Sequence, residues 1–232
     1  MPVPKLPLRL LGLGDTYHLW WWQRTLARRS VLTLWNEAHR AIFVHIPKTA
    51  GTSILSALGA PAVFDTHAPS RAYARAYPDF YRGAYKFAFV RNPWDRFASS
   101  FHFMKHGTEW DMQQEWARRH IGDQSFAEFT YRLRNPLFRA TVMAERFFWP
   151  QMFWLTGNGR YPGIDETFRF EEIDAATRQL CDRFGIIPPT TTPHLRKVEK
   201  ADFCELYDGP MIDIIAQIYH RDIAALGYQF TG

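Results

Sequence analysis

The chain has 232 residues, 47% hydrophobic and 16% aromatic, and carries a net charge of +5. That is enough apolar material for one sizeable core at the upper end of single-domain length, and no stretch approaches the ~20 apolar residues of a membrane span. The basic balance suits an anionic substrate, nucleic acid or an acidic membrane surface, but the lysines and arginines are scattered, which argues against a nucleic-acid partner.

In chain order, the first fifteen residues, MPVPKLPLRLLGLGD, place prolines and Arg9 inside an apolar stretch and make a poor signal peptide. Residues 16–38 are rich in Trp, Leu and Arg and predict a helix. Arg24 and Arg28 interrupt its apolar face, so it reads either as a helix covering the core or as an interfacial helix that brings Trp20, Trp21, Trp22, Arg24, Arg28 and Arg29 to anionic lipid headgroups. Core packing is the commoner use of such a segment. A nearly continuous apolar run, Ala41 to Ile46, predicts a buried strand, followed by a loop and a helix from Thr52 to Leu58. A short strand at Ala62–Phe64, a helix at Ser70–Tyr77 and a second buried strand at Tyr85–Val90 come next. After it, Asn92 suits an N-cap and Pro93 the first helical position, and Trp94, Phe97, Ala98, Phe101 and Met104 repeat at helical spacing. Further helices are expected near 125–133 and 141–155, a strand at Thr167–Phe170, a helix at Glu171–Phe184 and a last helix at Met211–Leu226 that stops at Gly227. Strands alternating with helices imply an α/β fold, a three-layer P-loop-like domain with a central parallel β-sheet flanked by helices. One domain over 1–232 is expected, with residues 1–40 as an N-terminal helical extension to a core of 41–230.

Ligands of parallel sheets sit at the carboxyl ends of strands, and both Lys48 and Arg91 fall there. Residues 42–53, IFVHIPKTAGTS, run from strand into a turn with one lysine, one glycine and three hydroxyls, the build of an anion cradle. The order differs from the nucleotide loop G-x-x-x-x-G-K-[ST], because Lys48 precedes Gly51. On the helix after Arg91, Asn92 and Ser99 are seven residues apart and share a face, with Asp95 beside it. An arginine fork and a serine hydroxyl would give a second anion site; an Arg–Asp pair capping an ordinary helix is the plainer alternative. Taken together, two cradles at one sheet edge imply a ligand with two separated anionic groups. An ATP or GTP hydrolase would place an aspartate for Mg²⁺ where Arg91 stands.

HIPKTAGTS and RNPWDRFASSF, in this order and about forty residues apart, resemble the 5′-phosphosulfate loop and the 3′-phosphate motif of the PAPS-dependent sulfotransferases, specifically the carbohydrate branch with the heparan sulfate and chondroitin enzymes. Weaker similarity continues through RFEEI (169–173), PHLRK (193–197) and the end of the chain. The resemblance implies PAPS as sulfuryl donor, PAP as product, no metal, and a hydroxyl of a carbohydrate or glycoconjugate as acceptor. It implies that Lys48 contacts the phosphosulfate bridge, that the loop of Thr49, Ala50, Gly51, Thr52 and Ser53 holds the 5′-phosphate, and that Arg91 and Ser99 bind the 3′-phosphate. The carbohydrate branch carries its base in a segment like that of His67, which makes His67 the candidate for deprotonating the acceptor; capping the next helix or packing in a turn is its structural alternative. Asp65, two residues earlier, is the candidate for orienting it.

His194 and Lys197, with Arg196 between them, follow a proline-rich stretch and read as a late loop over the nucleotide or as an ordinary exposed loop. Glu171 and Glu172 suit a helix N-terminus. His102 and His106 have the spacing of metal ligands but no third partner, and Cys181 and Cys204 form neither a C-x-x-C pair nor a zinc pattern, so they fit a reducing compartment. Trp110, Arg118, Arg119, Arg132, Arg134 and Arg139, between Lys105 and Tyr161, read either as an acceptor groove or equally as ordinary core and surface. The reading is therefore a cytosolic sulfotransferase, with peripheral membrane contact through the N-terminal Trp/Arg segment as a variant. Its rivals are a nucleotide-dependent kinase with an atypical loop and a nucleotide-binding, membrane-peripheral module without turnover.

Overall fold

The structure, a computed structural model, describes Leu26 and residues 32–61, 67–107, 111–156, 163–189 and 202–231. These fall into two compact units, one drawn from Leu13–Arg91 and Gln151–Lys197, the other from Asn92–Pro150 and Val198–Gly232. In chain order the first unit runs α1 (Leu34–His39), β1 (Ala41–Phe43), α2 (Gly51–Ala57), α3 (Ser70–Ala76), α4 (Pro78–Gly83) and β2 (Tyr85–Val90). The chain then forms α5 (Pro93–His102), α6 (Asp111–His120), α7 (Phe126–Arg132) and α8 (Pro136–Met143) of the second unit. It returns for α9 (Met152–Leu155), β3 (Glu166–Arg169) and α10 (Ile173–Phe184), and ends in the second unit with α11 (Gly209–Ile218) and α12 (His220–Leu226).

The first unit carries the sheet, three parallel strands in the order β1-β2-β3. Phe43 pairs with Phe87 in register, and Phe89 with Phe168. One face is aromatic: Ala41, Phe43, Phe87, Phe89 and Phe168 pack with Ile54 and Leu58 from the α2 segment and with Ile173, Ala176 and Leu180 of α10. The alternate positions Ile42, Ala88 and Val90 are buried too. Both faces of β1 and β2 are therefore covered, which is why these strands read as nearly continuous apolar runs, whereas the edge strand β3 alternates, with Phe168 buried and Thr167 and Arg169 exposed. β1 is shorter than the run Ala41–Ile46 predicts. Its ladder extends to one more bond, Val44 N–H to the Phe87 carbonyl at 2.8 Å, before the chain turns away at Pro47, which has no N–H to donate.

The second unit is helical around Trp94, Phe97, Phe101, Phe129, Phe148, Ile215 and Tyr219. Its first helix begins as Asn92 and Pro93 dictate: the Asn92 side chain accepts from Trp94 N–H at 3.1 Å, and Pro93 takes the first turn. Two expected helices are broken. In place of one helix over 141–155, α8 begins earlier, capped by Asn135 six residues before the predicted start, a 3-10 turn covers Arg146–Phe148, and α9 starts afresh after Pro150. The last predicted helix divides at Tyr219, whose buried hydroxyl donates to the Phe148 carbonyl at 2.6 Å. The predicted strand at 62–64 and most of the predicted helix at 16–38 lie outside the described residues.

Lys86, in the middle strand, is 3% exposed. Its ammonium lies 2.9 Å from Asp165 and donates to the Ala84 carbonyl at 2.7 Å, while Asp165 also accepts the Lys86 N–H at 2.7 Å. A buried ammonium that loses its carboxylate keeps its desolvation cost. Asp165→Ala should therefore destabilise the protein by about 3 kcal/mol, the low end for breaking a buried pair because Asp165 is partly solvated, and Lys86→Met by less. Urea denaturation of the two variants measures the order.

Candidate active site

The loop after β1 is built from backbone the residue types do not favour. Lys48 and Ala50 both have left-handed φ, 70° and 63°, and each such residue costs on the order of 1–3 kcal/mol. Left-handed residues interspersed in a turn aim successive N–H groups to one side, the arrangement of an anion nest. The turn is pinned from within by Thr49, fully buried, whose hydroxyl donates to the Ile46 carbonyl at 2.9 Å. Ser53 and Ile54 N–H both donate to the Ala50 carbonyl, at 2.9 and 3.1 Å, and start α2. Ala50 has no side chain to cap that helix. Lys48 is half-buried and Thr52 exposed.

Gly51 is required by its neighbour. A Cβ there would fall 2.0 Å from Cδ2 and Nε2 of His45, whose ring occupies the space. On its other sides that ring stacks on Phe43, with centroids 5.4 Å apart, and meets His67 at 4.1 Å. His67 is brought back to the end of β1, where its Nδ1 lies 2.9 Å from the His45 carbonyl oxygen. The predicted base and the predicted lysine are thus joined through a segment of three residues. Asp65, the expected orienting partner, lies outside the described residues.

Arg91 follows directly on β2. Its N–H donates to Gln151 Oε1 at 2.9 Å and its carbonyl accepts from Gln151 Nε2 at 2.8 Å, so a fully buried amide clamps both sides of one peptide position. The guanidinium donates from Nη1 to the Lys48 carbonyl at 3.2 Å and lies over the Phe170 ring, 4.2 Å from its centroid. Segments after β1, β2 and β3 therefore meet at this one side chain. The arrangement brings the Arg91 guanidinium and the His67 imidazole to the two ends of the segment His45–Lys48, whose turn has left-handed backbone, chemistry suited to an anion and to taking a proton near it.

Ser99 sits half-buried on α5 of the other unit. His194 and Lys197 lie outside the described residues. Glu171 and Glu172 form a 3-10 turn leading into α10, the structural use expected of them. His102 is half-buried among Phe101 and Phe126, and burial, with His106 and Lys105 adding to it, pushes its pKa down. Among the described residues no group of three or more His, Cys, Asp or Glu is placed to hold a metal ion, and no helix is long and apolar enough to cross a membrane. Three contributors were not singled out from sequence: His45, Gln151 and Phe170. Phe170 lay inside the RFEEI motif, whereas Gln151 had no local signal. Gln151→Ala would remove both buried side-chain bonds to the Arg91 backbone, and should cost about 1–3 kcal/mol in urea denaturation.

No curated protein and no solved structure gives a significant match to the chain. A family model does match, the one described as the sulfotransferase family, over residues 33–229, a span that contains the loop at Lys48, His67, Arg91 and Ser99. The chain belongs to the sulfotransferase family.

Proposed function

We propose that this sulfotransferase uses PAPS as donor and a hydroxyl of a carbohydrate or glycoconjugate as acceptor. The observation that carries the reading is the contact of the Arg91 guanidinium with the Lys48 carbonyl, which joins the arginine after β2 to the lysine-bearing turn after the adjacent parallel strand β1. The residues present fit a doubly anionic nucleotide: left-handed backbone at Lys48 and Ala50, a close-packed Gly51 and a braced arginine. Bound PAPS would supply the sulfuryl group, which passes to the acceptor oxygen by in-line displacement as the bridging S–O bond breaks. Lys48 would offset the charge that builds on the departing bridge oxygen, a task that kinases give to metal ions. The loop from Thr49 to Ser53 would hold the 5′-phosphate through its backbone amides, the Ser53 N–H being shared with the Ala50 carbonyl to which it donates. Arg91 would hold the 3′-phosphate, with Ser99 assigned to the same group by resemblance alone, as His194 and Lys197 are to the nucleotide.

His67 would take the acceptor proton. Its Nδ1 faces a carbonyl oxygen, which only accepts, so the hydrogen sits on Nδ1 and a neutral ring keeps its lone pair on Nε2. The acceptor's carbohydrate nature rests on the motif resemblance and on the basic and aromatic residues between Lys105 and Tyr161.

Thermal shift separates this reading from a kinase. PAP in the presence of a chelator should raise the melting temperature and Mg·ATP should not; stabilisation by Mg·ATP alone would sink the proposal. With radiolabelled PAPS and a glycan panel, Lys48→Ala and His67→Ala should each lower transfer by about 100-fold or more. Phe170→Ala, which removes the ring under Arg91, should weaken PAP binding by about threefold to tenfold, and Arg91→Ala by more, with calorimetric titration as the measure.

A further inference from the structure

Between the anion loop and His67 stands a second imidazole. His45 is 8% exposed, and its ring is enclosed by Phe43, Gly51 and His67. It touches His67 twice. Its carbonyl oxygen takes the Nδ1 hydrogen at 2.9 Å, and its ring meets the His67 ring at 4.1 Å, tilted by 47°. The first contact selects a tautomer, and the second limits how the His67 ring can rotate about the bond that carries it. The third contact is to the nest: a Cβ on Gly51 would overlap Cδ2 and Nε2 of His45 at 2.0 Å. Any shift of the turn at Gly51 must therefore move the ring that abuts His67.

We propose that His45 is a positioning residue for sulfuryl transfer, holding the His67 ring in one tautomer and one orientation and tying it to the anion loop. The inference rests on His67 being the base. It assigns a reason for glycine at 51 that is separate from phosphate approach: the turn must leave room for an imidazole. A space-filling core histidine would support stability but would not govern the protonation pattern of its neighbour.

Isotope-edited histidine NMR on the full chain gives a readout independent of turnover, with the His67 signals identified by their loss in His67→Ala. The wild type should show Nδ1 protonated and Nε2 unprotonated. His45→Ala and His45→Leu keep the backbone carbonyl but remove the ring that stops His67 from rotating away from it; they should therefore give a mixture of tautomers and lower transfer from PAPS to unsulfated glycosaminoglycans by about tenfold or more, with PAP affinity within about twofold of wild type. His45→Phe, which restores a ring beside His67, should recover the single tautomer and most of the rate. If the alanine variant does not fold, the leucine and phenylalanine pair decides. A single Nδ1-protonated tautomer and an unchanged rate in His45→Leu would overturn the positioning role. Full transfer by His67→Ala would instead remove the base assignment, whatever tautomer the wild type shows.

Discussion

One side chain holds the ends of the sheet in a common arrangement. Arg91 leaves the middle strand, is clamped through its own peptide groups by the buried Gln151, reaches the carbonyl of Lys48 after β1 and lies on Phe170 after β3. Each contact alone is modest. Together they fix a guanidinium whose charge would otherwise swing freely in solvent, and they do so at the carboxyl ends of parallel strands, where open α/β sheets bind their ligands. A preorganised arginine has already lost most of the rotamer freedom it would surrender on binding an anion, so more of the charge-assisted bond remains as affinity.

The strain in the loop has the same logic. Lys48 and Ala50 adopt left-handed backbone that neither residue favours, and the surroundings hold them there through the buried Thr49 hydroxyl and the two amides on the Ala50 carbonyl. Glycine at either position would relax the turn. Lysine at 48 instead keeps a cation at its apex, and glycine is used only at 51, where His45 leaves no room for a Cβ. The placement of lysine before glycine, unlike the order of the common nucleotide loop, thus follows from which residue must carry charge and which must make space.

What the chain discloses without its structure divides along local and non-local lines. The strand at Tyr85–Val90 was legible because a buried parallel strand is a continuous apolar run, and the start of α5 because Asn-Pro is a local capping signal. Lys48, Arg91 and His67 could be nominated from their neighbours in sequence. Gln151 could not, since its partner is sixty residues away and a glutamine before a short helix carries no pattern. His45 stands inside both an apolar run and the HIPKTAGTS motif, but no role was assigned to it there, and its contacts with Gly51 and His67 are what give it one. The helix breaks at Pro150 and Tyr219 show the other limit. At the first, proline overrides an apolar period; at the second, a tyrosine is drawn to a carbonyl in the helical core.

In the proposed reaction the turn at Lys48 and the arginine at 91 form two anion sites for one nucleotide, and a crystal structure with PAP would reveal both. Density for the 5′-phosphate is expected on the loop of residues 48–53, and for the 3′-phosphate within hydrogen-bonding reach of the Arg91 guanidinium. A 3′-phosphate bound away from Arg91, or PAP seated elsewhere on the chain, would contradict this arrangement.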